Sequence, residues 1–161
     1  MRSKMTLGVL VAMMAVSARP AFADVTAFIG ANTSPANRQV RGFGIGMGLL
    51  VVVGIEFEYT NTTDDPTAKA PSLKIGSGNL VLQSPVPIFG VQPYFTTGGG
   101  FYSETLGTRN DTGFAPNTGG GVKISLLGPI GVRVDYRVFK LASGALVSPA
   151  HRVYAGINLK F

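Results

Sequence analysis

The sequence predicts an all-β fold, an eight-stranded antiparallel up-and-down β-barrel. Three observations predict it. Apolar residues recur at every second position, the period of a half-buried strand, and no segment after residue 23 keeps the spacing of an amphipathic helix. Most of the 10 prolines fall between the alternating runs or at their edges. The 22 glycines among 161 residues are about twice the usual share, and the charged fraction of 14% is low for a soluble domain.

The first strands are defined by alternation between residues 25 and 83. From Phe43 to Tyr59 the apolar residues stand at odd positions, so two strands keep one register across a short turn. The stretch from Lys74 to Leu82 does not keep one parity, and we expect a β-bulge near Gly76 to Gly78. The predicted bounds of these four strands are 25–32, 40–48, 52–60 and 73–83.

The last four strands follow a proline-containing link. The fifth carries Pro93 near its start, and the seventh and eighth show the clearest alternation, from Ile130 to Phe139 and from Arg152 to Phe161. Short turns at one end and long polar loops at the other are typical of an up-and-down barrel. The predicted bounds are 91–103, 115–126, 130–139 and 151–161. The predicted links are short at 49–51 and 127–129, medium at 84–90, and long at 61–72, 104–114 and 140–150.

The N-terminus has the pattern of a secretory signal peptide. A short basic start precedes an apolar run over residues 5–16, which is too short to span a bilayer as a helix. Ala21 and Ala23 then match the small residues that a signal peptidase reads, so we expect cleavage between Ala23 and Asp24. The predicted domains are a signal peptide, residues 1–23, and one outer-membrane β-barrel domain, residues 24–161.

Charge and composition exclude several classes of function. The formal net charge is +6, but three of the basic residues lie in the predicted leader, which leaves 11 basic against 8 acidic residues. These charges are scattered, so we expect no nucleic-acid partner. The chain has no cysteine, which excludes disulfides, thiol catalysis and cysteine-based zinc sites. We expect neither a cofactor nor a metal.

The face opposite the apolar one decides between a soluble and a transmembrane barrel. A soluble barrel covers its outer face with charged and polar side chains, whereas glycine fills much of the non-apolar face here, at residues 42–48, 98–100 and 119–121. Glycine suits a crowded lumen, so the apolar face is predicted to face lipid, and only a closed barrel crosses a bilayer with strands. The alternative is a periplasmic lipocalin-like barrel with its apolar face inside.

Several segments resemble one family. Gly-Gly-Gly-Val-Lys-Ile at 119–124, Gly-Val-Arg-Val-Asp-Tyr-Arg at 131–137 and Val-Gln-Pro-Tyr-Phe at 91–95 look like strands of the small outer-membrane barrels, which include the OmpA transmembrane domain, OmpX and the opacity proteins. The resemblance implies export to a bacterial outer membrane, with short periplasmic turns and longer extracellular loops. The last strand resembles the signal read by the barrel-assembly machinery, although members more often have Tyr at position 159. Its residues are Val153, Ala155, Ile157, Leu159 and Phe161.

A network of charged side chains is predicted inside the barrel. If Leu126 pairs with Ile130, Lys123 lies opposite Arg133, and two like charges in a narrow lumen require a carboxylate. Glu56 lies at a similar depth, and the predicted turn pairs it with Gly44, which leaves space. We expect Lys123 and Arg133 to contact Glu56, with the other three groups one layer higher. The predicted network is Glu56, Glu58, Lys123, Arg133, Asp135 and Arg137.

The predicted function is non-enzymatic, an envelope-structural or surface-interaction role in the outer membrane. Eight strands enclose little more than their own side chains, but a narrow pore or carrier for a small solute is the first alternative. A lipid A-modifying enzyme using His151, the only histidine, is a second, although His151 is followed by Arg152 and Val153 rather than by a serine two residues on. The expected partners are outer-membrane lipid, the assembly machinery during biogenesis and unidentified ligands of the extracellular loops, and we expect a monomer.

Overall fold

A computed structural model describes residues 23–161 as eight antiparallel strands in one closed barrel. Each strand pairs with the next along the chain, and the last pairs with the first, so the predicted fold class is confirmed. No helix long and apolar enough to cross a membrane occurs within these residues. The strands are β1 (Ala23–Asn32), β2 (Arg38–Gly48), β3 (Val53–Thr62), β4 (Ser72–Gln83), β5 (Val91–Leu106), β6 (Arg109–Leu127), β7 (Ile130–Phe139) and β8 (Ala150–Lys160).

The two ends of the barrel have different connections. The lower end carries Ala23 and Phe161 together with the turns that follow β2, β4 and β6, and the upper end carries the other four links. The predicted long loop over residues 104–114 is wrong, because β5 and β6 continue as a hairpin to a tight turn where Gly107 has φ 60°. The side chains of this extension are mostly polar on both faces, so hydrophobic periodicity cannot reveal it.

The turn between β2 and β3 has four residues rather than the predicted three. Because Gly48 pairs with Gly54, Glu56 pairs with Gly46 and not with the predicted Gly44. The register moves by two residues, so every side chain keeps its predicted face. Gly44 still leaves room beside Glu56, since a Cβ there would lie 3.7 Å from the Glu56 Oε2 atom.

The turn between β6 and β7 also differs from the prediction. A register shift between Ser125 and Leu127 makes Leu127, rather than Leu126, the partner of Ile130. Above this irregularity the pairing returns to the predicted register, and Lys123 lies opposite Arg133. A bulge at the end of a hairpin changes the turn without changing the strand faces above it.

Strand β4 runs without the predicted bulge. Its pairs with β3 and β5 are continuous through residues 76–78. The parity looked broken because Gly76 and Gly78 occupy outward positions, between the exposed Lys74 above and the exposed Leu80 below. The irregular pattern comes from these two glycines and from the inward Leu73 and Ile75, which are apolar and buried, and not from a change of register.

The barrel is apolar outside and polar inside. The stagger of the strands follows from their register. The direct partner of Phe139 on β8 is Ala150. The path of register partners that leaves Phe139 in the other direction, from β6 back to Asp24 on β1, reaches β8 at Lys160, ten residues from Ala150. This stagger tilts the strands around an interior only wide enough for side chains. Outward apolar residues that are between 37% and 60% exposed include Ile29, Phe43, Ile45, Met47, Ile55, Phe57, Tyr59, Leu80, Leu82, Phe95, Phe114, Ile130, Val134, Tyr136, Val153, Ile157 and Leu159.

Candidate functional site

Arg133 is the centre of an ion network in the lower half of the lumen. Its side chain is fully buried and forms an ion pair with Glu56, with a second contact of 3.2 Å from its Nη2 to Asp135 Oδ2. Its Nε donates to the Tyr94 hydroxyl at 2.7 Å, and the guanidinium lies 4.6 Å from the centre of the Tyr94 ring. Both predicted groups, Glu56 and Arg133, thus meet directly.

Arg137 connects this centre to the layer above. Its Nη2 lies 2.6 Å from Glu56 Oε1 and its Nε 3.0 Å from Asp135 Oδ1, while its Nη1 lies 3.5 Å from Glu58 Oε1. Arg133, Asp135 and Arg137 are at alternate positions of β7, and therefore point to one face of the strand. Each carboxylate in this part of the lumen is shared by two cations or by a cation and a tyrosine.

Lys123 lies apart from the predicted group. Although it is the register partner of Arg133, its Nζ forms an ion pair of 2.5 Å with Asp24, near the lower mouth, and not with Glu56. Asp24, the second residue of β1, therefore provides the carboxylate beside Lys123 that was expected from Glu56. A small recess of about 40 Å³ lies among Asp24, Glu56 and Lys123.

Two members of the network were missed from the sequence. Arg152 pairs with Glu58, and the Tyr154 hydroxyl donates to the same carboxylate at 3.1 Å. Two nitrogens of Arg152 lack hydrogen bonds, but its guanidinium lies 4.7 Å from the centre of the Phe139 ring, which attracts a cation. The parity of β8 predicts both residues as inward, since they alternate with the outward Val153. With Arg152 and Asp24 included, the ion pairs of the described residues join four cations and four carboxylates in the lumen.

Glycines make room for these long side chains. At Gly119 a Cβ would lie 2.7 Å from Arg137 Cγ, and at Gly121 it would lie 2.7 Å from the Tyr94 hydroxyl. The glycines of β6 therefore stand where large groups from β5 and β7 cross the lumen. This is the crowded interior that the glycine-rich face predicts.

The upper half of the lumen is closed by apolar side chains. They come from five strands, β4 to β8, and from the link after β7, and they pack into one buried cluster. Arg38 fixes two of the upper links by donating to the carbonyl of Ser34 at 2.7 Å and to that of Pro71. The cluster consists of Leu73, Ile75, Tyr102, Ala115, Phe139, Leu141 and Ala150.

A buried carboxyl group lies above this cluster. Glu104, on the hairpin beyond the exposed Phe101, accepts a hydrogen bond from the backbone N–H of Leu146 in the link after β7. Burial raises the pKa of Glu104 above its ordinary value, and the nearby Asp111 charge adds to this, while Arg38 and the Leu146 hydrogen bond oppose it.

Acidification is expected to stabilise the folded barrel through Glu104. Because the folded-state pKa is raised, the folded state binds more protons, so the stability contributed by Glu104 is present at acidic pH and lost as pH rises through that pKa. The free energy of unfolding, measured by urea titration at a series of pH values, should decrease more steeply with rising pH in the original chain than in Glu104→Gln, which cannot ionise at this position. An equal slope in both proteins would contradict the raised pKa of Glu104.

His151 lies on the outer face near the upper end. Its Nδ1 is 2.7 Å from the hydroxyl of Tyr136, which is also outward. Ser148, the nearest serine in sequence, instead bonds to the backbone of Leu141, with its hydroxyl accepting from the N–H at 3.1 Å. Among residues 23–161, no carboxylate or serine side chain makes a hydrogen bond with His151.

The remaining predicted residues are those of the cleavage site and of the assembly signal. Ala21 lies outside the described residues, and Ala23 is the first residue of β1. The predicted assembly signal, from Val153 to Phe161, presents its alternate residues on the outer face of β8. Within residues 23–161 no group of three or more histidine or acidic side chains is placed to hold a metal ion.

A closed antiparallel barrel with a charged, packed lumen and an apolar outer face defines the class of transmembrane β-barrels. No family model matches the chain, and no curated protein matches it. Its structure is similar to the N-terminal β-barrel domain of Pseudomonas aeruginosa OprF, with a TM-score of 0.67 at 15% identity, covering 87% of this chain and 97% of that one. The fold is that of the small eight-stranded outer-membrane barrels, as the sequence resemblance predicts.

Two further solved structures have the same fold. Neisserial surface protein A matches with a TM-score of 0.67 at 15% identity, over 88% of this chain and 97% of that one. The outer membrane enzyme PagL matches with a TM-score of 0.51 at 15% identity, over 86% and 98%. Since one is described as a surface protein and the other as an enzyme, the likeness indicates the fold and not the activity.

Proposed function

We propose that this protein is a non-conducting, non-enzymatic barrel of a bacterial outer membrane, with a structural or surface-interaction role in the envelope. The observation that carries the proposal is the polarity of the barrel. Its charged groups, among them Arg133 and Arg137, form ion pairs inside the barrel. Its outer face is apolar, as the outward residues of β2 between Phe43 and Met47 show. That arrangement suits lipid outside and is the reverse of a soluble barrel.

The closed lumen supports a structural role over transport. Arg133 and Arg137 are fully buried, and the apolar cluster around Phe139 lies above them. An ion entering from either end would have to displace side chains that are held by several charged partners. A solute path therefore requires the network to open, at a cost of several kcal/mol for each separated buried pair.

The surface-interaction role is supported by the upper end. The hairpin of β5 and β6 extends beyond the other strands and ends in polar residues. Binding residues are commonly found on exposed connections held by a rigid scaffold. Catalysis at His151 has weaker support, because its partner Tyr136 is an interfacial aromatic residue and supplies no carboxylate to orient the ring.

Electrophoresis and conductance test this proposal together. The full chain, expressed in a Gram-negative host, should fractionate with the outer membrane and migrate faster in SDS before boiling than after. In planar bilayers the folded protein should show no steady single-channel conductance. An SDS-sensitive protein in the periplasmic fraction would overturn the membrane assignment, and steady conductance would overturn the closed lumen.

A companion measurement tests the absence of enzymatic activity. Lipid A extracted from cells that express the protein is expected to have the same mass as lipid A from cells without it. A changed mass that reverts in His151→Ala would contradict the non-enzymatic role. The conservative control is Tyr136→Phe, which removes the hydrogen bond to His151 but keeps the outward aromatic ring.

A further inference from the structure

One row of register partners on the outer face is aromatic with a single gap. Phe43 pairs with Tyr59, with ring centres 6.0 Å apart, and Phe101 pairs with Phe114, with ring centres 5.7 Å apart. Gly76 stands between the two pairs as the partner of both Tyr59 and Phe101. A Cβ at Gly76 would meet no atom within 4 Å, so the aromatic row is open at this point.

The gap continues downward as an apolar groove. Gly78 is the next outward residue of β4, and a Cβ there would also meet nothing within 4 Å. A recess of about 570 Å³ begins at Gly78 and runs towards the lower end. From Lys74 to Leu80 the strand spans roughly 20 Å, at about 3.3 Å per residue. The apolar residues that line the recess include Ile45, Met47, Ile55, Phe57 and Leu80.

Two cations lie directly above the groove. Lys74 is the outward residue next above Gly76, and Arg41 lies in the same row, since both are register partners of Asn61. Both are exposed, and the ion pairs of residues 23–161 include neither of them. Adjacent strands are about 4.8 Å apart, so two long side chains separated by one strand can reach the same anion.

We propose that this groove binds one anionic, phosphate-bearing lipid of the surrounding membrane. The phosphate lies between Arg41 and Lys74, and one acyl chain runs over Gly76 and Gly78 into the recess. The cations provide charge complementarity at the depth where the apolar belt ends, and the groove provides apolar surface below it. The inference rests on the proposed outer-membrane location.

A second copy of the chain suits this surface poorly. A two-fold interface would place the same patch on both copies and so bring Arg41 and Lys74 towards their own equivalents. Like charges facing each other in an apolar setting oppose association. An anionic lipid neutralises the same charges and fills the groove, which a symmetric partner does not.

Native mass spectrometry of the folded protein, released from detergent micelles, tests the proposal. The probes are dilauroyl phosphatidic acid, dilauroylglycerol with the same chains but no charge, and sodium phosphate with no chains. We expect one phosphatidic acid to bind at least about tenfold more tightly than dilauroylglycerol, and phosphate alone to bind negligibly. The double variant Arg41→Gln with Lys74→Gln should lose this preference, because it removes both charges that contact the phosphate.

The groove is tested separately by filling it. Gly78→Leu should weaken phosphatidic acid binding by about tenfold while leaving the cations in place. The matched controls are Lys140→Gln, an exposed cation elsewhere on the barrel, and Ala155→Leu, an outward position on β8, and both should bind as the original chain does. Equal losses in the controls would overturn a specific site, and so would unchanged binding in both Gly78→Leu and the double variant.

The state of the barrel separates the two proposals. Every protein is first examined for faster migration in SDS before boiling, which reports the folded barrel independently of bound lipid. An original chain that is not SDS-resistant would contradict the proposed membrane barrel itself. An SDS-resistant barrel that shows no preference for phosphatidic acid would overturn only the lipid site. If sodium phosphate at equal concentration displaced the lipid, the role of the groove would be overturned.

Discussion

Replacing Arg133 by methionine is expected to lower the free energy of unfolding by about 3–5 kcal/mol, because it removes one of the two buried cations that Glu56 and Asp135 share and leaves both carboxylates with Arg137 alone. Glu56 and the Tyr94 hydroxyl would each lose a charged partner inside a lumen with little water. Urea titration of protein folded in phospholipid vesicles, followed by the electrophoretic shift, measures the loss. Lys140→Met, at an exposed position, is the control and should change stability by no more than about 0.5 kcal/mol.

A double-mutant cycle shows whether this loss belongs to the pair. Glu56→Gln and Arg133→Met should together cost less than the sum of their separate effects, with a coupling energy of at least about 1 kcal/mol. Arg137 and Asp135 limit the coupling, since each provides the remaining residue with a second partner. Strictly additive effects would contradict the direct pairing of Glu56 with Arg133.

Gly121→Val is expected to destabilise the barrel by about 3 kcal/mol or more, although valine favours strands. A Cβ at this position would lie 2.0 Å from the carbonyl oxygen of Val134 and 2.7 Å from the Tyr94 hydroxyl, so it would displace the backbone of β7 as well as a group that holds Arg133. Overpacking of a filled interior forces neighbouring side chains out of their preferred rotamers. The same urea titration measures this loss.

Gly76→Val is the matched control for this substitution. The change is chemically identical, but the position is outward and a Cβ there meets no atom within 4 Å. Its effect should be close to zero or slightly stabilising, because it adds apolar surface facing lipid and improves strand propensity. Equal destabilisation by the two valines would mean that the loss of glycine itself, rather than crowding in the lumen, causes the effect.

The fold was predictable from the sequence because a strand has a period of two. The alternation from Ile130 to Phe139 shows which residues share a face, and a register error of two residues at the turn before Val53 leaves every face unchanged. The extension of β5 and β6 was not predictable in this way, since its polar residues give no apolar period. The break at Gly76 and Gly78 was misinterpreted because the apolar residues of β4 are inward above the glycines and mostly outward below them, and in a single sequence this change looks the same as a bulge.

For the charged groups inside the barrel, the sequence likewise predicts the face but not the partner. Glu56, Arg133, Asp135 and Arg137 could be assigned to the lumen from their positions in the chain, because inward and outward positions follow directly from parity. The contacts of Lys123 with Asp24 and of Glu58 with Arg152 required the three-dimensional structure. These partners are far apart in the chain, and their meeting depends on strand stagger and barrel closure, which bring β1 and β8 beside each other at depths that no local pattern records.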